Sequence, residues 1–451
     1  MAKTIRIGNG QGFWGDSIDA PVNLLRGGPL DYLTLDYLAE VTMSIMQKQR
    51  RRNPERGYAY DFVQFIDKVL PDLMKGGVKV IANAGGVNPE ACQRALLEVA
   101  EKHQAKGLKI AIVSGDDILD RLEELRGKGE ALTHLDTGEA LFAEPREILS
   151  ANVYMPTSGI VDALNQGAHI VVTGRSTDPG LVLGPILHEF GWSSWNELAL
   201  GTVAGHILEC GAQATGGNFT QWQDVPDMAN IGYPIAEVND RGDLFITKHQ
   251  NTGGLVNVAT VSEQLLYEMG DPEKYLTPDC VADFSSIQLE QAGPDRVRVH
   301  GVQGDRDTPY YKVSISYLKG YKASGQLTVS GPGAYAKAQK CAEILWRRLE
   351  NAGATFESTE TEYLGVGVCH EGMLPPNDPP EVVLRVGVKD SDQNMVARFG
   401  KEIAPLVTSG PPGVTGFAGG RPKPQEIVAY WPALISKKHI QPKVKVLEVG
   451  A

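Results

Sequence analysis

Cysteine is scarce in this sequence. Its five copies, Cys92, Cys210, Cys280, Cys341 and Cys369, are odd in number, widely spaced and form no C-x-x-C pair. That argues against a disulfide framework and a structural zinc site, and leaves reduced cytosolic thiols as the simplest reading. Long apolar runs are missing too: none reaches the ~18 residues that span a bilayer. Basic residues are outnumbered, 43 Lys and Arg against 55 Asp and Glu, and the resulting charge of −12 gives no basic face for a nucleic acid. The one basic cluster, Lys48 with Arg50, Arg51 and Arg52, reads as a solvated helix end complementing its dipole, with a local anion site as the alternative. The opening MAKTIRIGNG enters a strand pattern without a signal-peptide segment, so a cytoplasmic protein is expected. No phosphate loop, H-E-x-x-H zinc helix or G-x-S-x-G elbow occurs.

What remains is a chain of 451 residues, long enough for roughly two or three domains. Short apolar strands at 5–7, 32–35, 78–82, 109–113, 152–155 and 169–172 alternate with helical patterns at 39–48, 62–73, 89–106 and 117–127. Such alternation predicts an α/β domain over 1–225, a mainly parallel, doubly wound, Rossmann-like sheet with helices on both faces.

Four of these strands run straight into glycine and a polar residue: Gly8 with Asn9 and Gly10, Asn83 with Gly85, Ser114 with Gly115 and Asp116, and Thr173 with Gly174 and Arg175. In open parallel sheets ligands bind outside the carboxyl ends of the strands, where glycine lets backbone approach and a helix N-terminus favours an anion. Ordinary turn chemistry uses glycine there as well. The first loop, Gly8-x-Gly10-x-Gly12, departs from the dinucleotide fingerprint, since position 13 is Phe. Asp36 can stand in for the ribose-binding acid, which keeps a nicotinamide enzyme as a third reading. Arg175 suits a bidentate grip on a carboxylate or phosphate. Asp178 suits a helix cap, and the two also suit each other as an ion pair.

Residues 194–210 carry the sharpest chemical signal. Ser194 and Glu197 spell a capping box, apolar residues follow at helical spacing, and Gly211 is a stop. Thr202, His206 and Glu209 share the other side, so a hydroxyl, a base and an acid face one way. Gly201-x-x-x-Gly205 admits a close helix neighbour, against which His206 and Glu209 form either a satisfied polar pair or a general acid/base. His206-x-x-Glu209 also suits two metal ligands, but no further ligand set of convincing spacing follows, so no metal is expected. Cys210 sits where the helix dipole disfavours a thiolate. A polar loop of Gln213, Thr215, Gly216, Gly217 and Asn218 comes next.

After Trp222 the pattern changes. Strands at 235–238 and 244–247 flank a turn, and Lys248-His249-Gln250-Asn251-Thr252-Gly253-Gly254 is a second glycine-rich loop, ahead of a helix at 262–269. Period-2 strands at 297–302, 312–317 and 325–329, a helix at 334–349, strands at 363–368 and 382–388 and a helix at 392–403 predict an α+β domain with antiparallel strands over 226–451. The run SGPPGVTGFAGGRPKPQ, 409–425, is irregular, and loops of that length are usually functional or mobile. Its Arg421 and Lys423 suit closure over an anion or contact with another subunit.

The run GTVAGHILECGAQATGGNF, with RSTDPGLVLGPILHEFGW before it and IGYPIAEVNDRGDLFITKHQNTGGLVNVATVSEQLLYEMGDPEKYLTPDCVADF after it, resembles the acyclic terpene utilisation protein AtuA family. The likeness extends from IRIGNGQGFWGD to YYKVSISYLKGY, GPGAYAKAQ and EVVLRVGVKD. The resemblance implies a role in bacterial breakdown of acyclic terpenes such as citronellol and geraniol, by routes that run through acyl-CoA thioesters. It supplies no reaction and no catalytic residue. Some relatives carry an extra small ferredoxin-like domain after the region that ends here in VKVLEVGA, so a separate small partner chain is expected, with a homo-oligomer.

The expectation is therefore an enzyme of acyclic terpene or branched acid catabolism, with a coenzyme A thioester or related carboxylated acyl compound as substrate and no certain cofactor. Lyase or hydratase chemistry would use His206 and Glu209 to move protons. Asn9, Gly10, Asn83, Gly85, Arg175, Asp178, Gly216, Gly217, Asn218 and the Thr252, Gly253, Gly254 loop would hold substrate, the last three and Arg175 taking its anionic groups. A non-catalytic ligand-binding or assembly subunit is the alternative.

Overall fold

The structure is a computed structural model, and it describes residues 2–370, 379–416 and 419–450. The chain forms two compact units, one of residues 1–316 with 430–451 and one of residues 317–429.

The first unit is built on a ten-stranded mixed sheet. In chain order its early strands are β1 (Thr4–Asn9), β2 (Tyr32–Leu35), β3 (Lys79–Ala82), β4 (Lys109–Ser114), β5 (Ile148–Val153) and β6 (Ile170–Thr173). Then come β7 (Ile235–Asn239), β8 (Leu244–Thr247), β9 (Tyr275–Leu276), β10 (Val281–Asp283), β11 (Gln288–Gly293), β12 (Arg296–His300), β13 (Gln303–Asp305) and β14 (Tyr310–Ser330). The remaining strands are β15 (Ser358–Leu364), β16 (Glu381–Asp390), β17 (Gln425–Ser436) and β18 (Lys443–Glu448). The large sheet runs β11-β12-β8-β7-β1-β2-β3-β6-β4-β18. Its middle, β1-β2-β3-β6-β4, is parallel. Both flanks are antiparallel, β7 against β1 on one side and β18 against β4 on the other. The parallel strands are buried on both faces, as the mostly apolar YLTL, KVIA and IVVT suggest.

Helices α1 (Ala20–Gly27), α2 (Glu40–Arg52), α3 (Tyr60–Gly76) and α4 (Pro89–Lys102) contribute to the core on one face of the sheet. After the short α5 (Leu122–Gly127), α6 (Ser158–Asn165), α7 (Gly180–Phe190), α8 (Trp195–Glu209) and α9 (Val258–Leu266) build the core on the other. Helix α8 starts with the expected box: Ser194 Oγ accepts from the Glu197 amide at 3.4 Å, and Glu197 Oε2 accepts from the Ser194 amide at 2.9 Å. It ends at Gly211, whose φ of +58° takes the chain out of the helix.

The second unit has its own core, packed between the β15-β16-β14-β17 sheet and helices α10 (Ala334–Asn351), α11 (Gln393–Glu402) and α12 (Leu406–Ser409).

Several expectations change. The strand expected at 152–155 is β5, which lies outside the parallel sheet and pairs with β14. The strands expected at 312–317 and 325–329 are one strand, β14, and Gly320, at φ +88°, is the break in its pattern. The strand expected at 297–302 joins the large sheet through β8 and β11. A boundary at 225/226 would divide that sheet, because β7 pairs with β1. The strand expected at 363–368 is β15, five residues earlier. Within the irregular run 409–425, residues 417–418 lie outside the described ones, Val414 bridges Val329, and β17 begins at Gln425. Among the described residues no helix is long and apolar enough to cross a membrane.

Candidate active site

A cleft of about 450 Å³ opens in the first unit at the carboxyl ends of β1, β2 and β6. That is the sheet edge where glycine and polar residues follow the strands. Gly12 and Phe13 enter it from the loop after β1, Asp36, Leu38 and Ala39 from the loop after β2, and Glu40 from the start of α2. Arg175 and Asp178 follow β6; Glu209, Cys210, Gln213 and Asn218 come from the end of α8 and the turn beyond it. Tyr267 and Glu268 close the wall after α9. A second hollow, of about 370 Å³, shares Gln213, Asn218 and Tyr267 with the first.

Helix α8 brings Glu209 here because it can lie close to α7. A Cβ on Gly205 would stand 2.4 Å from the Pro179 carbonyl oxygen, and one on Gly201 would stand 2.5 Å from Leu183. Only glycine permits that approach. His206, 1 % exposed, sits behind the wall rather than on it. Its Nε2 lies 3.1 Å from the Gln264 carbonyl, which can only accept, so Nε2 carries a proton. Nδ1 lies 3.0 Å from Glu209 Oε1. The rings of Tyr275 and Phe284 stand edge-on to the imidazole.

The second oxygen, Glu209 Oε2, is buried and has no hydrogen-bond partner. Burial pushes the Glu209 carboxyl up to about 7; His206 pulls it down and the charges of Asp178 and Glu268 add to the rise. For His206, burial works against the charged ring, but the charge and hydrogen bond of Glu209 outweigh it and hold the imidazole above its ordinary value. The two thus share a proton that titrates as a property of the pair. Thr202, expected on the same side, instead meets Cys280 Sγ at 3.5 Å.

Across the cleft, Asp36 is fixed from below. Its Oδ1 accepts from Asn83 Nδ2 at 2.6 Å and from the Leu38 amide at 3.1 Å. Burial and then the charge of Asp178 raise its carboxyl well above the usual range, against the pull of Arg175 and Asn83. Arg175 is 2 % exposed. Nη1 donates to Asp178 Oδ1 at 2.5 Å, to the Leu38 carbonyl at 3.1 Å and to the Ser176 carbonyl at 3.3 Å, while its plane lies 4.2 Å from the Tyr154 ring centre. Beneath it Asp116 accepts from the Arg175 amide and from Asn152, and burial pushes its carboxyl up to about 7. Tyr154 in turn donates to Glu40.

The sequence-derived residues therefore part company. His206, Glu209, Arg175, Asp178 and Asn218 belong to this site or its immediate support. Arg175 is already engaged as an ion pair, which corrects its expected free grip on an anion, and Asp178 makes no side-chain cap for α7. Asn9 donates to the Leu208 and Glu209 carbonyls and ties β1 to the end of α8. Asn83 positions Asp36. Gly10, Gly85 and Gly217 press against neighbouring chain, with no room for a Cβ, and Gly216 turns at φ +102°. Thr252 lines a separate cavity of about 630 Å³ with His249, so the second glycine-rich loop does not share the first cleft's lining. Gly253 and Gly254 are packed on Asp227 and Ile231, and Lys248 pairs with Asp295. Arg421 and Lys423 belong to the second unit. The residues not foreseen as cleft acids, Glu40 and Glu268, carry no motif: Glu40 opens α2 and Glu268 lies in the turn after α9, so position beside a helix end is the only signal. Burial raises Cys210 to about 12, so its thiol stays protonated.

Fold and cleft together define a mixed α/β protein with a carboxylate-rich, acid/base-equipped hollow at a strand-end edge. The chain belongs to the acyclic terpene utilisation family, AtuA, whose family model matches residues 5–446. Membership gives it a role in acyclic terpene utilisation. Comparison with curated proteins and with solved structures gives no match. Among the described residues no three His, Cys, Asp or Glu side chains converge as a metal site would need.

Proposed function

We propose that the protein is a cytoplasmic enzyme of acyclic terpene and branched acid catabolism that acts on an acyl-CoA or related carboxylated intermediate by acid/base lyase or hydratase chemistry. One observation carries the reading: Glu209, on the cleft wall, has one oxygen on His206 and the other unpartnered. A carboxyl poised near neutrality is suited to both halves of a proton transfer. In hydration, Glu209 removes a proton from water as its oxygen bonds to one carbon of a double bond. The protonated pair then returns a proton to the adjacent carbon, and elimination is the reverse. His206 acts through Glu209, holding its oxygen and sharing its proton.

The test is turnover of a branched α,β-unsaturated acyl-CoA by the wild-type chain and by Glu209→Gln. The substitution keeps shape and removes the titrating oxygen, so the rate should fall by about 10²–10⁴-fold. Undiminished turnover in a folded variant would discard Glu209 as the proton carrier. Stabilisation against heat by the acyl-CoA, and none by NAD(H), is expected alongside.

A further inference from the structure

The charges on the cleft wall are lopsided. Asp36, Glu40, Asp178, Glu209 and Glu268 line it, and Arg175 is the one cationic side chain among its lining residues. That arginine is committed to Asp178, two carbonyls and the face of Tyr154, and only its Nε lacks a partner. A carboxylate entering this hollow would meet the like charges of Glu40 and Glu268 in partly desolvated surroundings with no uncommitted cation to receive it, which is how a site rejects a competitor. An uncharged oxygen meets something different. The hydrogen bonds to the Asp36 side chain both end on Oδ1, leaving Oδ2, and Glu209 leaves Oε2. A buried carboxyl kept protonated in such a place donates a hydrogen bond to a carbonyl.

We propose that the cleft admits the reacting group of its substrate only in uncharged form, as a thioester or amide carbonyl or a hydroxyl, with Asp36 as a second catalytic carboxyl that donates a hydrogen bond to that oxygen. This rests on the acid/base reading of Glu209, and it narrows the substrate by excluding a free carboxylate at the reacting end. Asp36 and Glu209 then divide the work: one polarises the carbonyl, the other moves the proton. Asn83 is the positioning residue that keeps Asp36 Oδ1 occupied and turns Oδ2 to this task.

Titration calorimetry of the full chain near neutral pH tests this with three probes built on one methyl-branched unsaturated acid: the acid itself, its primary amide and its N-acetylcysteamine thioester. The amide and thioester should bind at least about tenfold more tightly than the carboxylate. The gap should close as pH falls and the acid becomes neutral, and it should narrow in Asp36→Asn. The probe series on the unaltered chain decides the matter even if that variant folds poorly. Carboxylate binding as tight as that of the amide overturns the proposal and leaves the Glu209 reading to its own turnover test. Binding of none of the three overturns both.

Discussion

Glu209 and His206 divide one function between them, and the division has a pH signature. The base form of Glu209 exists above its raised value of about 7, so a rate that needs it should climb with pH through neutrality and level off above. The partner's charge lowers the carboxyl's pKa against the burial that raises it. Removing that charge in His206→Gln should therefore move the climbing limb to higher pH, with a lower rate at neutrality, rather than abolish the plateau. A kcat–pH profile that falls in height but keeps its midpoint would assign His206 a packing role only. The pair was legible in the sequence because its spacing, i and i+3, lies within one helix. Asp36 was legible only as a possible ribose ligand. Its meaning depends on Asn83, Asp178 and Arg175, which follow two other strands, and no local pattern connects them.

At the scale of elements, α8 is both the support of the site and a fair measure of what sequence can specify. Its capping box, apolar spacing and glycine stop are local chemistry and were readable as such. The reason for its two internal glycines is a contact with α7, which Gly201-x-x-x-Gly205 announces without naming the partner. These features differ in cost. Ser194→Ala removes a side-chain acceptor from an exposed helix start and should lower stability by about 1 kcal/mol. Gly205→Ala places a methyl group 2.4 Å from the Pro179 oxygen, and pushing α8 away from α7 should cost about 1–3 kcal/mol despite the better helix propensity of alanine. Urea unfolding measures both. Turnover separates them further: the shift of α8 carries Glu209 with it, so Gly205→Ala should lose activity while Ser194→Ala keeps it. Equal activity in the two would mean that the end of α8 is set by something other than its packing on α7. The strands show the complementary limit. Buried parallel strands announce themselves as apolar runs, but which strand pairs with which is decided by contacts far apart in sequence. Thus β5 reads as a member of the parallel sheet but pairs with β14, and β12 reads as part of the second domain but lies in the first unit's sheet.

At the scale of the molecule, the alternation in the first half was readable, whereas the true division was not, since the second unit is an insertion. The chain leaves the first unit along β14 after Ser316 and returns along β17 at Tyr430. No stretch of linker composition marks either crossing, because both lie within continuous strands. Yet the cores are separate: the cluster around Leu327, Leu345, Leu384 and Phe399 draws every member from the second unit. All lining residues of the candidate active site come from the first. A unit with its own core is expected to fold on its own. Strands β14 and β17 are neighbours, so the points of exit and return lie on adjacent strands, whose spacing is roughly 4.8 Å. Replacing residues 317–429 by a short Gly-Ser turn should therefore yield a folded first unit that still gains thermal stability from the amide and thioester probes. Its melting transition should remain cooperative, with a lower midpoint where β14 and β17 have been shortened. A truncated chain that stays unfolded would show that the insertion is needed to complete the first unit. One that folds but no longer responds to the probes would show that the cleft alone does not bind its ligand.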